Sequence, residues 1–195
     1  MNERYTIKDG ILTVKSGIKE IQDNEFKGNS EFHTVKLPDS LISIGCSAFE
    51  ECMNLKKIKF NFNLQQIGER AFKDCVSLHC VEIPTNIQKI EPSTFMGCES
   101  LRNVEFNKNV KEISQQAFAD CKSIKKIKII GTVLVRPWLF HNCKNMEEFY
   151  VDDDKNGAQI DDFAFVGCEK ISFKCLKDSN IYHYAIKYKI PVQFI

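Results

Sequence analysis

The chain has 195 residues, with 27 Lys and Arg against 26 Asp and Glu and a formal net charge of +1. So even a balance excludes a chain-wide pull toward nucleic acid or an anionic membrane, and any charged partner must be met by a local patch. The length suits one domain or one elongated array, no segment reaches the run of about 18 apolar residues that a membrane-spanning helix needs, and the odd count of nine Cys points to reduced thiols rather than a fully disulfide-paired secreted scaffold.

The opening "MNERYTIKDG" has no basic stretch followed by an apolar run, so no export signal is read there and a cytoplasmic, reducing setting is expected. In "YTIKDGILTV", Tyr5 and Ile7, then Leu12 and Val14, alternate around Asp9-Gly10. This pattern predicts a β-hairpin with a tight turn, forming an N-terminal cap over residues 1–17 that covers an open sheet edge.

A repeat follows. Phe26, Phe49, Phe72, Phe95, Phe118, Phe140 and Phe165 stand 23, 23, 23, 23, 22 and 25 residues apart. Three residues after each Phe come Asn29, Cys52, Cys75, Cys98, Cys121, Cys143 and Cys168, and three further on Phe32, Leu55, Leu78, Leu101, Ile124, Met146 and Ile171. Five residues before each Phe stand Ile21, Ile44, Ile67, Ile90, Ile113, Val135 and Ile160. Such a period marks units that cannot bury their apolar faces alone and must stack on their neighbours. Residues 18–173 are thus read as seven repeats of about 23 residues.

Within a unit, "LKKIKF" puts Ile58 and Phe60 on one side and Lys57 and Lys59 on the other, the two-residue alternation of a half-buried strand. The Phe, Cys and Leu columns, three residues apart, suit one short helical or 3₁₀ turn per unit. Pro92 and Pro137 fit its entry, behind capping residues such as Gly45, Gly68, Ser114 and Asp161. The predicted fold is an α/β solenoid of about seven coils, with short parallel strands on the concave side, helical or 3₁₀ turns opposite, and a core roughly 34 Å long at about 4.8 Å per strand. In "NIYHYAIKYKIPVQFI", Ile181, Tyr184, Ala185 and Tyr188 fall at helical spacing before a strand over Pro191 to Ile195, a C-terminal cap spanning residues 174–195.

The units "IGERAFKDCVSLHCVEIP", "IGCSAFEECMNLKKIKF" and "ISQQAFADCKSIKKIKI" resemble the BspA-like class of leucine-rich repeats over nearly the whole chain. Period, Ile-Gly, Ala-Phe, Cys and the apolar triplet all agree. The resemblance implies a curved leucine-rich-repeat solenoid that binds proteins, with relatives among bacterial surface adhesins and large protozoan families. It therefore also implies a possible place at a cell surface, and the tail is similar to the family's terminal cap.

Candidate chemistry is sparse. The Cys column recurs at the repeat period, so its thiols are expected to be buried packing groups, with the off-column Cys80 outward on its strand and the most reactive thiol. No Cys-x-x-Cys occurs, and the four His at 33, 79, 141 and 183 do not pair with any Cys at zinc-ligand spacing. Asp152, Asp154, Asn156 and Gly157 reproduce the opening of a calcium loop, but its twelfth position is Phe163 where a bidentate Glu is needed, so a solvated acidic turn is expected. There is no nucleophile elbow and no Gly-rich phosphate loop, so neither an enzyme nor a cofactor is expected.

What remains is the outward strand face: Thr34 and Lys36, Lys57 and Lys59, Cys80 and Glu82, Asn103 and Glu105, Lys126 and Lys128, Glu148 and Tyr150. Its charge changes in blocks and lacks the continuous basic stripe with stacking aromatics that nucleic acid requires. The function expected is non-enzymatic protein binding or adhesion by a monomer through this face. Lys36, Lys57, Lys59, Glu82, Asn103, Glu105, Lys126, Lys128, Glu148 and Tyr150 are the candidate contacts, and a structural module in a nucleic-acid or calcium-dependent surface assembly is the alternative.

Overall fold

A computed structural model describes residues 4–152 and 158–195. Strands β1 (Tyr5–Lys8) and β2 (Ile11–Val14) form an antiparallel hairpin with Tyr5 opposite Val14. Its turn residues Asp9 and Gly10 have φ of 51° and 70°, the left-handed pair of the tight hairpin turn that matches strand twist.

Seven coils follow, each with two strands. The first holds β3 (Glu20–Ile21) and β4 (Thr34–Lys36), the second β5 (Ser43–Ile44) and β6 (Lys57–Lys59), the third β7 (Gln66–Ile67) and β8 (Cys80–Glu82). Next come β9 (Lys89–Ile90) and β10 (Asn103–Glu105), β11 (Glu112–Ile113) and β12 (Lys126–Ile130), β13 (Val133–Val135) and β14 (Glu148–Asp152), then β15 (Ala158–Ile160) and β16 (Ser172–Cys175). The even-numbered strands stack as a long parallel ladder and the odd-numbered ones as a second, shorter one. The sequence pattern of "LKKIKF" predicts only the longer strand of each coil, and the structure adds a second one. The second strand is mostly two residues long, with one buried Ile, too short for the two-residue alternation to register in sequence.

The Phe-bearing turns carry the i to i+3 bonds of a 3₁₀ turn, such as Glu50 N–H to the Ser47 carbonyl at 3.1 Å and Cys52 N–H to Phe49 at 3.1 Å. No helix propagates, because residues two before and two after each Phe are left-handed, as in Ser47 and Glu51 (φ 53° and 61°) or Arg70 and Asp74 (56° and 58°). A left-handed non-Gly residue costs about 1–2 kcal/mol. Burying a Phe contributes about 1.5–3 kcal/mol, and each sharp turn delivers one Phe to the core. Phe49, Phe72, Phe95 and Phe118 stack with centroids 5.2, 5.5 and 5.3 Å apart and planes within 10°.

The end is closed by α1 (Asn180–Tyr188) and β17 (Val192–Phe194). Ser179 caps α1 by accepting from Tyr182 N–H at 3.1 Å, and Ile181, Tyr184 and Ala185 are buried. Strand β17 pairs in parallel with β16, Phe173 opposite Val192, where a further coil would supply its long strand.

At Gly45 and Gly68 the backbone of the preceding coil leaves no room for a side chain. A Cβ on Gly68 would sit 2.6 Å from the backbone nitrogen of Cys46, and one on Gly45 2.6 Å from that of Asp23. The long ladder is interrupted between β6 and β8 and between β10 and β12, and the short one between β7 and β9.

Candidate functional site

The outward residues of the long ladder form one face because alternate strand positions point the same way. Lys36, Lys57, Lys59, Cys80, Glu82, Asn103, Glu105, Lys126 and Lys128 are exposed, while Thr34, Glu148 and Tyr150 are half-buried. Their strand partners Val35, Ile58, Val81, Val104, Ile127 and Phe149 are buried in the core.

The interruptions divide this face into three blocks. In the first, Lys36 lies directly opposite Lys59, and Thr34 opposite Lys57. In the second, Glu82 lies opposite Glu105 and Cys80 opposite Asn103. No ladder pairing joins the two blocks, and among the described residues Lys36, Lys57, Lys59, Glu82 and Glu105 take part in no ion pair.

The third block is cross-linked. Lys128 sits opposite Tyr150, with its ammonium 5.3 Å from the ring centroid and 2.9 Å from the Asp152 carboxylate. The Tyr150 hydroxyl donates to Asp152 at 3.1 Å. Glu148 takes Lys174 at 2.9 Å and Lys126 at 3.7 Å, and the hydrogen bond from Lys174 holds its carboxyl below the usual range despite partial burial. Asp152, read from the sequence only as the opening of a calcium-like loop, and Lys174, not singled out there, belong to this network. Their signal was available: each continues the outward alternation of its strand.

Each interruption coincides with a cleft. The first, about 780 Å³, runs across β4, β6 and β8. The others, about 600 and 410 Å³, lie across β7 and β9 and across β10 and β12. A further cleft of about 310 Å³ opens between the last turn and the α1 end of the chain.

The remaining candidates resolve simply. Each thiol of the column is buried and donates to the Phe carbonyl one coil back, Cys75 to Phe49 at 3.1 Å and Cys98 to Phe72 at 3.2 Å. Burial pushes the Cys52 thiol up to about 12 and those of Cys75 and Cys98 well above the ordinary value. Cys46 and Cys80 are exposed. Among the described residues no cluster of His, Cys, Asp and Glu is placed to hold a metal. Asp154, Asn156 and Gly157 of the calcium-like motif lie outside the described residues. Phe163, at the position where that motif needs its closing Glu, stacks on Trp138 at 5.4 Å. No described helix is long and apolar enough to cross a membrane.

The family model for the BspA type leucine rich repeat region matches residues 19–147 and 134–188, in six copies. The fold is similar to the crystal structure of the T. pallidum leucine-rich repeat protein TpLRR, with a TM-score of 0.74 at 24% identity over 98% of this chain and 94% of that one. It is also similar to a leucine-rich repeat protein from Bacteroides ovatus, with a TM-score of 0.63 at 20% identity over 94% of this chain and 54% of that one. No curated protein matches the chain.

Proposed function

The chain belongs to the BspA-type leucine-rich repeat family, and from that premise we propose that it is a non-enzymatic solenoid, acting as a monomer, that binds another protein through the outward face of its long ladder. The observation that carries this reading is the contrast between the two sides of the same strands. Inward slots are uniformly apolar and buried, whereas outward slots run through Lys, Cys, Asn, Glu and Tyr. Side chains free of packing duty on a rigid array can each contribute a contact to a broad partner without the cost of ordering the backbone that carries them. Tyr150, held by Lys128 and Asp152, is the anchor, because a pre-oriented aromatic loses little entropy on binding. In this reading residues 1–17 and 174–195 serve as caps, and adhesion at a cell surface is a role consistent with the family.

The test is site-specific photo-crosslinking in the native host. Benzoylphenylalanine at Tyr150 or Asn103 should trap a discrete partner, and at Glu51 or Met53 on the turn side it should not. Crosslinks confined to the turn side would move the site off the strands.

A further inference from the structure

We infer that the cleft across β4, β6 and β8 takes an acidic peptide segment of a partner protein, with an apolar side chain of that peptide seated on Phe60 and Phe62. The inference rests on the protein-binding reading and gives it a partner chemistry at one place.

Three observations converge on the cleft. The first is charge left without compensation. Lys36 and Lys59 are directly opposed in the β4–β6 register, where side chains stand about 5 Å apart and like charges repel. Neither has a carboxylate within ion-pair distance, nor does Lys57, whereas Lys126, Lys128 and Lys174 in the third block are all paired. A carboxylate arriving between Lys36 and Lys59 would relieve repulsion as well as gain attraction, so the pair favours an anion more than an isolated surface Lys does.

The second is apolar surface beside that charge. Phe62 is 68% exposed, the largest exposure of any large hydrophobic residue described, and it lines the cleft with the half-buried Phe60 and Leu37 and the buried Ile83. Phe60 is held edge-on against Phe72 of the core, with centroids 5.6 Å apart, so the floor is fixed before a ligand arrives. A volume of about 780 Å³ falls in the range of ordinary binding clefts.

The third is the position of the acids. Asp39 and Glu82 also line the cleft, Asp39 at the corner after β4 and Glu82 on β8 across the interruption. Neither acid forms an ion pair with Lys36 or Lys59, so the Lys pair keeps its charge, and a peptide carboxylate is favoured against that pair rather than beside the acids.

The test is a titration of the whole chain, labelled with ¹⁵N, with a synthetic hexapeptide bearing a central Phe-Leu pair flanked by acidic residues, carried to about 1 mM or above. The largest amide shifts are expected at residues 35–39, 59–62 and 82–85. Lys36→Glu with Lys59→Glu should weaken binding about tenfold or more, and so should Phe62→Ser or replacement of the Phe-Leu pair by Ser-Ser. Lys36→Ser with Lys59→Ser gives the same answer without new charge. No shifts, shifts centred elsewhere, equal binding of the Ser-Ser peptide, or unchanged affinity in the Lys variants would each overturn the inference. Crosslinks from Tyr150 with no peptide binding here would remove the cleft and leave the face; peptide binding here without such crosslinks would keep the cleft and remove Tyr150 as the anchor.

Discussion

The thiol of Cys98 donates a hydrogen bond to the carbonyl oxygen of Phe72, 3.2 Å away and one coil back. The same bond recurs from Cys52 to Phe26, Cys75 to Phe49, Cys121 to Phe95, Cys143 to Phe118 and Cys168 to Phe140. Cys is small enough for the slot, and its thiol adds a second donor to a carbonyl that already accepts from its own turn, as Phe72 does from Cys75 N–H at 3.2 Å.

Burial raises the thiols of Cys52, Cys75, Cys98 and Cys121 in the folded chain, and Cys143 is raised by its contact with Cys168 and then by burial. Above the ordinary thiol value of 9.0 the unfolded chain loses these protons and the folded chain keeps them, so stability falls as pH rises, by about 1.4 kcal/mol per pH unit for each retained proton. Denaturant melts at pH 8, 9 and 10 should show this decline, and Cys75→Ala should make it shallower. A thiol reagent under native conditions should modify Cys46 and Cys80 before Cys75 or Cys98; simultaneous labelling of all would contradict the buried column.

Phe95 is fully buried between the rings of Phe72 and Phe118. Phe95→Ala should cost about 3–5 kcal/mol, while the exposed Lys108→Ala should stay within about 0.5 kcal/mol of the parent. Urea melts of the two variants decide it, since equal midpoints would mean the ring stack carries no stability.

Glycine is required at one position and would help at another. Gly68→Ala places a methyl against the backbone of Cys46 and Gly45, and with no flexible atom to yield it should lower the melting temperature sharply. Glu51 holds φ 61° at the turn position where Gly28, Gly97 and Gly167 stand in other coils. Glu51→Gly should therefore be neutral or stabilising by up to about 1 kcal/mol, and a clear loss on thermal melting would show that its side chain has a further role.

The buried Glu50 bridges Lys27 at 3.1 Å and Lys73 at 3.3 Å, joining three successive turns. Burial alone would raise its carboxyl, but hydrogen bonds with Ser47, Lys27 and Lys73 outweigh that and hold it below the ordinary value. A carboxyl lowered on folding contributes stability above its unfolded value of 4.5 and loses it as pH falls through the folded value. Glu50→Gln should thus destabilise by about 1 kcal/mol or more at pH 7 and by less near pH 3; an equal loss at both would assign the effect to packing.

Calcium at millimolar concentration should leave the melting temperature unchanged, because Phe163 is stacked on Trp138 and no carboxylate occupies the closing position. A rise abolished by Asp152→Asn with Asp154→Asn would overturn this.

The Phe, Cys and Ile columns made the stacking, the coil number and the outward strand slots legible, because each column is one core position repeated seven times. Asp9-Gly10 and the spacing of Ile181, Tyr184 and Ala185 did the same for the hairpin and for α1, since turn chemistry and helical period are local properties. The two-residue strands were hidden because one buried Ile carries no alternation. The left-handed turn residues were hidden because Ser47, Arg70, Gln116 and Trp138 share no composition; coil stacking imposes their φ against local preference.

The sequence by itself determined that identical columns must stack, and therefore that this is a solenoid with a free strand face. Only the tertiary structure decided how that face is divided. Lys59 and Glu82 are neighbours in the repeat alignment, and a continuous ladder would have set them side by side. The interruption between β6 and β8 leaves Lys59 in register with Lys36 alone, in the cleft that Phe62 also lines. Where a ladder opens depends on how closely successive backbones pack, a sum of many small contacts that no single column of residues encodes.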